Sequence, residues 1–263
     1  MRENQVKTIW KRGGAVINGW LGIPSSVAAE NMAQANWDSL TVDLQHGLVD
    51  YQAAVGMLQA ISTSKATPLA RVPWCEPGII MKLLDAGAYG IICPMINTRA
   101  DCEALVAACR YHPQGYRSFG PVRATWYAGS DYYQHANDTI LAIAMIETTT
   151  AMQNLDDILS VKGLDGIYIG PNDLAITLGR APSGTPTDKV VLDAIRTILE
   201  GAKKHGIPAG IHCGSTAMAK ELIGWGFQFV TLLADNALLM TAAKNTVAEM
   251  REGAAPAAKG SSY

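Results

Sequence analysis

Eight short apolar runs, none longer than nine residues, recur along this 263-residue chain with helix-patterned segments between them. They are AVINGWLGI (15–23), SLTVDL (39–44), TPLARV (67–72), GIICPM (90–95), LAIAMIE (141–147), GIYIGP (166–171), PAGIHC (208–213) and FQFVTLL (227–233). The intervening segments carry helix punctuation. VVLDAIRTILEGAKKHG places Lys203, Lys204 and His205 in a last turn with Gly206 after it, and EPGIIMKLLDAG places Pro77 at a helix start and Gly87 past its end. Thr98 and Asp101 have the spacing of a capping box. Strand then helix, repeated, implies a parallel sheet, because parallel neighbours need a crossover. Eight such units in a chain of this length favour a closed (β/α)₈ barrel over an open sheet.

Composition narrows the function. An apolar fraction of 49% suffices for a large core, and a net charge of −2 with dispersed Lys and Arg offers no basic stripe for nucleic acid. The five cysteines, Cys75, Cys93, Cys102, Cys109 and Cys213, are odd in number and include no C-x-x-C pair, which argues against a disulfide framework or structural zinc. No apolar h-region opens the chain, and no stretch approaches the roughly 18 apolar residues of a membrane span. A cytoplasmic protein is expected. One barrel domain with an N-terminal helix should occupy residues 1–253, with a frayed tail over 254–263. The aromatic, Gly- and Pro-rich segment 111–139 reads as a long loop after the fourth strand that could cover a site.

Barrel active sites lie at the C-terminal ends of the strands. There the second strand ends with Asp43, Gln45 and His46, the third with Arg71, the fifth with Glu147, and the sixth runs into Gly170, Pro171, Asn172 and Asp173. Trp20, His212 and Ser215 sit near the same rim. Each residue has an ordinary alternative. A strand-end His is commonly a hydrogen-bonded structural residue, Arg71 could serve a salt bridge, and Glu147 and Asp173 could cap the helices that follow them. Their falling on one rim favours a shared site.

Two carboxylates without Cys or His at metal-ligand spacing suit a hard divalent cation, Mg²⁺ or Mn²⁺, and leave most of an octahedral shell open. An α-keto acid can fill open positions with its carboxylate and keto oxygens, which acidifies its C3 protons. Arg71 would stabilise the enolate oxygen, and His46 is the rim group whose ordinary pKa suits a base.

The stretches WLGIPSSVAAE, VDLQHG, MKLLDAGAYGIICPM, YHPQGYRSFGP, MIET and GLDGIYIGPNDL, taken in order, resemble the HpcH/HpaI group of pyruvate-dependent class II aldolases along nearly the whole chain. The resemblance implies a TIM barrel of the phosphoenolpyruvate/pyruvate type, a divalent metal (Mg²⁺ or Mn²⁺, with Co²⁺ or Zn²⁺ as substitutes) and a homo-hexamer built as a dimer of trimers. It implies His46 as catalytic base acting through a water on the metal, Arg71 as enolate stabiliser, and Glu147 and Asp173 as metal ligands. Asp85, in MKLLDAG, matches an aspartate that raises the basicity of the histidine; Asp43 is the other candidate to orient it. The backbone of Gly170, Pro171 and Asn172 should receive the substrate carboxylate, with Trp20, Asp173 and His212 as further substrate contacts.

Three positions depart from common relatives: Gln45 stands for a Glu before the histidine, Met145 for a Gln before the metal-binding Glu, and Asn172 for an Ala. Loss of a negative charge at Gln45 should lower the His46 pKa. The activity expected is reversible cleavage of 4-hydroxy-2-oxo acids to pyruvate and an aldehyde, with hydroxypyruvate as a second keto-acid partner. Arg117 and Arg123 could bind an anionic acceptor but read more simply as solvated loop residues. The rival readings are a CoA-ester lyase of the same superfamily and a non-catalytic, metal-dependent keto-acid binder.

Overall fold

Strands β1 (Val16–Leu21), β2 (Ser39–Asp43), β3 (Thr67–Arg71), β4 (Gly90–Cys93), β5 (Leu141–Met145), β6 (Gly166–Ile169), β7 (Ala209–Cys213) and β8 (Phe229–Ala234) pair in sequence order, all parallel. Pairing of β8 back onto β1 closes the barrel, as eight strand-helix units require. This is a computed structural model, and it describes residues 1–252; the expected boundary at 253 and the tail 254–263 lie outside them. Every expected run contains a strand. β2, β5 and β6 stop before their runs end, so His46, Glu147 and Gly170 stand in loops above the rim.

Alternation of side chains along a strand fills the barrel in layers. Val16, Leu69, Ile92, Leu141, Ile143 and Phe229 pack the lower interior. Above them lies a polar layer in which Asn18 Oδ1 accepts from Ser39 Oγ (2.7 Å) and Thr41 Oγ1 (3.1 Å), while Asn18 Nδ2 donates to Thr231 Oγ1 (3.1 Å). These buried groups satisfy one another, as they must away from water. The helix Gln5–Lys11 closes the N-terminal mouth: Val6 is fully buried, and the Trp10 indole donates to the Gln228 carbonyl at 2.8 Å.

Outside the barrel, helices bury one face at three- and four-residue spacing. In Lys189–His205 that face is Val191, Ala194, Ile195, Ile198, Leu199 and Ala202. Burying one Leu or Ile there contributes about 2 kcal/mol. Asp188 caps its start, and Gly206 ends it at φ 68°, as the sequence predicts. The Thr98–Asp101 capping box is formed.

The segment 111–139 differs from expectation. The helix Arg99–Cys109 carries the chain back along the barrel, so 111–139 leads into the N-terminal end of β5, away from the rim. It contains helices Val122–Ala128 and Tyr132–Thr139, whose Ala124, Ala128, Tyr132 and Ala136, four apart, are buried. Its arginines hold the fold. Arg117, itself buried, donates to Asp85 (2.7 Å) and to the Tyr132 hydroxyl (2.9 Å), and Arg123 donates to the carbonyls of Ala86 and Leu58.

Candidate active site

A cavity of about 170 Å³ opens at the C-terminal end of the barrel, and its wall brings together Trp20, His46, Arg71, Glu147, the turn 170–173 and His212. No residue of 111–139 lines it. Larger cavities of about 580 and 520 Å³ elsewhere hold no comparable set of strand-end residues.

Asp43 is the hub of one side. Its Oδ1 accepts from Arg71 Nε at 2.8 Å and its Oδ2 from Arg71 Nη2 at 2.7 Å, a two-pronged pair between adjacent strand ends. The same carboxylate accepts from the Trp20 indole (3.1 Å) and the amides of Gln45 (3.0 Å) and Gly47 (3.1 Å). Burial pushes the Asp43 pKa up, but Arg71 and these donors more than offset it and hold the group below its ordinary value. Arg71 also lies 4.7 Å above the Trp20 ring, so its guanidinium is fixed on two sides. Gly47 is required here, since a Cβ would meet the Asp43 carbonyl oxygen at 2.3 Å. The turn places His46 at the cavity, exposed, with no hydrogen bond or ion pair to its ring among the described residues.

Neither aspartate considered as its orienter reaches that ring within the chain. Asp43 binds the backbone of the turn and Arg71, and Asp85, at the end of the helix Pro77–Asp85, is ion-paired with Arg117.

Glu147, two residues past β5, is buried. Its Oε1 accepts from the Met95 amide at 2.9 Å, and Met95 adopts φ 55°, a conformation uncommon for a side-chain-bearing residue. Gly170 makes room for the other oxygen: a Cβ there would lie 2.3 Å from Oε2. Burial raises the Glu147 pKa to about 7, with the Met95 amide opposing and the nearby charge of Asp173 adding to the rise. Capping does not occupy these carboxylates. Thr148 caps Thr149–Gln153, and the helix Pro171–Thr177 has Gly170 at its N-cap with no side-chain cap bond. Because Pro171 lacks an N–H, Asn172 and Asp173 supply the first free amides of that turn.

Among the described residues no group of three or more His, Cys, Asp or Glu converges; Glu147 and Asp173 both line the cavity. Two carboxylates with hard oxygen donors and few other ligands suit a divalent cation that keeps open positions.

Trp20 also begins an aromatic stretch of the wall. Trp20 stacks on Tyr168 with centroids 5.8 Å apart and meets His212 edge-on at 5.7 Å. The Tyr168 hydroxyl lies 3.2 Å from His212 Nδ1. Burial, aided by the charge of Arg71, lowers the His212 pKa to about 4, so the ring is neutral near pH 7. Sequence reasoning missed Tyr168, which reads as one more apolar residue of GIYIGP; its even spacing from Gly166 and Gly170 was the available signal. Ser215 lies apart, capping Thr216–Trp225.

Residues 19–242 match the HpcH/HpaI aldolase/citrate lyase family. The chain belongs to that family. It is 44% identical over 248 residues to a hydroxypyruvate/pyruvate aldolase of Rhizorhabdus wittichii, covering 94% of this chain and 99% of that one. With a 4-hydroxy-2-oxo-heptane-1,7-dioate aldolase of Escherichia coli it shares 36% identity, covering 92% of this chain and 93% of the relative. A crystal structure of a family member from Burkholderia cenocepacia superposes with a TM-score of 0.88 at 30% identity, covering 94% of this chain and 99% of that chain. The chain is therefore an enzyme of the lyase class. No helix among the described residues is long and apolar enough to cross a membrane.

Proposed function

We propose that this enzyme is a divalent-metal-dependent pyruvate aldolase, cleaving 4-hydroxy-2-oxo acids reversibly to pyruvate and an aldehyde. The observation that carries the reading is the convergence of the Glu147–Asp173 pair, the braced Arg71 and the unpartnered His46 in one small cavity. Mg²⁺ or Mn²⁺ held by Glu147 and Asp173 would supply Lewis-acid polarisation of the keto oxygen. The amides of Asn172 and Asp173 receive the substrate carboxylate, as helix-start amides suit an anion.

Cleavage then needs a base and a positive charge. His46 removes the C4 hydroxyl proton, the C4–O bond becomes a carbonyl, and the C3–C4 electron pair moves into the enolate of the departing keto acid. Arg71 neutralises the negative charge that accumulates on the C2 oxygen, and because Asp43 and Trp20 already fix it, little reorganisation is needed. A proton delivered to C3 completes the keto acid. We assign this chain to a homo-hexamer, a dimer of trimers in the cytoplasm; within one subunit Asp85 is partly exposed and paired with Arg117.

No Lys and no second Arg lines the cavity beside Arg71, which argues against the CoA-ester alternative. Assays of free 4-hydroxy-2-oxo acids beside CoA esters of hydroxy acids, each with and without Mg²⁺ or Mn²⁺, decide it. Metal-dependent release of a keto acid and an aldehyde from the free acids is expected; turnover confined to the esters would overturn the reading, and binding without turnover would leave a keto-acid binder.

A further inference from the structure

A layer of buried hydrogen bonds lies inside the barrel below the cavity. It centres on Asn18, whose Oδ1 accepts two hydroxyls, Ser39 at 2.7 Å and Thr41 at 3.1 Å. That fixes the amide, so Nδ2 is the group that donates to Thr231 Oγ1 at 3.1 Å. The buried Tyr168 hydroxyl has His212 Nδ1, 3.2 Å away, as its one hydrogen-bond partner among the described residues, so the geometry directs its proton there. A neutral imidazole that accepts at Nδ1 carries its proton on Nε2. Nε2 has no protein partner among the described residues, and His212, on the same face of β7 as the inward Gly210, borders the cavity.

The charged groups of the cavity and His46 already have roles in the reaction proposed above. Glu147 and Asp173 suit the cation, Arg71 faces the keto oxygen, the 172–173 amides take the carboxylate, and His46 is the base. What remains of a bound keto acid is its C3 substituent; beside the Asn172 side-chain amide at the carboxylate-binding turn, the free side-chain donor of the cavity is His212, next to Trp20, Tyr168 and Met145. A methyl group would leave that donor unanswered, and an unpaired donor in a confined site is costly. A hydroxyl would satisfy it.

We propose that His212 is a specificity-determining residue whose Nε2–H donates to a hydroxyl on C3 of the keto-acid donor, so that the enzyme selects 3-hydroxy-2-oxo acids over their 3-deoxy counterparts. This rests on the aldolase reading above. Sites built to hydrogen-bond a substrate group discriminate strongly against the analogue that lacks it.

The test is the ratio of kcat/KM for hydroxypyruvate to that for pyruvate as donors with one common aldehyde. It is measured on the wild-type holoenzyme and on His212→Leu, His212→Gln and Tyr168→Phe. His212→Leu should lower the ratio at least tenfold, and His212→Gln, which keeps an N–H donor, should retain most of it. Tyr168→Phe, which keeps the ring but frees the tautomer, should lower the ratio less than His212→Leu does. An unchanged ratio in His212→Leu, or equal falls in the Leu and Gln variants, would overturn the assignment. Metal-dependent exchange of pyruvate C3 protons by the wild type separates the two levels. If exchange occurs and the ratio ignores His212, the assignment alone fails; if exchange is absent, the aldolase reading fails with it.

Discussion

Arg71 and Asp43, 28 residues apart in sequence, meet at adjacent strand ends through two parallel hydrogen bonds of 2.8 and 2.7 Å. The geometry needs a planar fork, which an ammonium group cannot supply. Arg71→Lys should therefore lower kcat about 100-fold while the metal still binds, the scale seen when one preorganised donor to a developing oxyanion is lost. Steady-state kinetics at saturating metal checks this, and a kcat within threefold of wild type would show that positive charge alone suffices.

Glu147 links metal binding to pH. Without metal its carboxyl titrates near pH 7, because burial and the charge of Asp173 outweigh the Met95 amide. Below that pH a proton must leave before a cation enters. Mn²⁺ affinity measured by calorimetry should thus fall up to tenfold for each pH unit below about 7 and level off above it. The stability of the metal-free protein has the opposite sense: a carboxylate with a raised pKa contributes stability that is lost as pH climbs from the ordinary carboxylate range toward 7. Added Mn²⁺ should reverse that loss in thermal melts. Glu147→Gln should flatten both profiles and weaken binding.

Gly170 is the position where a single methyl group should disable the metal site. A Cβ there would stand 2.3 Å from Glu147 Oε2, so Gly170→Ala must displace the carboxylate. A tenfold or greater loss of Mn²⁺ affinity is expected with the circular dichroism spectrum preserved. Unaltered affinity would mean that Oε2 does not face the cation.

Asp85 supports the fold through a fully buried arginine. Removing its charge strands Arg117, which keeps only Tyr132 as a side-chain hydrogen-bond partner. Breaking such a pair costs about 3–5 kcal/mol when fully buried, and partial exposure of Asp85 reduces the expectation to about 2 kcal/mol. Asp85→Asn should therefore lower Tm by roughly 5 °C, on the scale of about 2–4 °C per kcal/mol for a chain of this size. Calorimetry that finds Tm unmoved would refute the structural role.

Period and punctuation made the barrel legible, because every strand is a short apolar run and helices such as Lys189–His205 carry both caps in sequence. Trp20, His46, Arg71, Glu147, the 170–173 turn and His212 were legible for a related reason: position at a strand's end fixes position at the rim. Partnership was not. Asp43 and Asp85 both looked like orienters of His46, yet the first pairs with Arg71 and the second with Arg117, 32 residues away, contacts between segments far apart in sequence that only tertiary packing creates. The segment 111–139 misled through composition, since its glycines and prolines suggest a loop while its four-residue repeat of buried side chains, three alanines and Tyr132, forms helices at the opposite end.

The central claim is that His46 and the Glu147–Asp173 pair together make the C3 position of a keto acid labile. Incubating the protein with pyruvate and Mn²⁺ in D₂O, and following the methyl signal by NMR, tests it most directly. Metal-dependent loss of that signal is expected in the wild type and should be abolished in His46→Ala that still binds Mn²⁺. Exchange that proceeds equally in His46→Ala, or no exchange in wild-type protein shown to bind pyruvate and metal, would contradict the account.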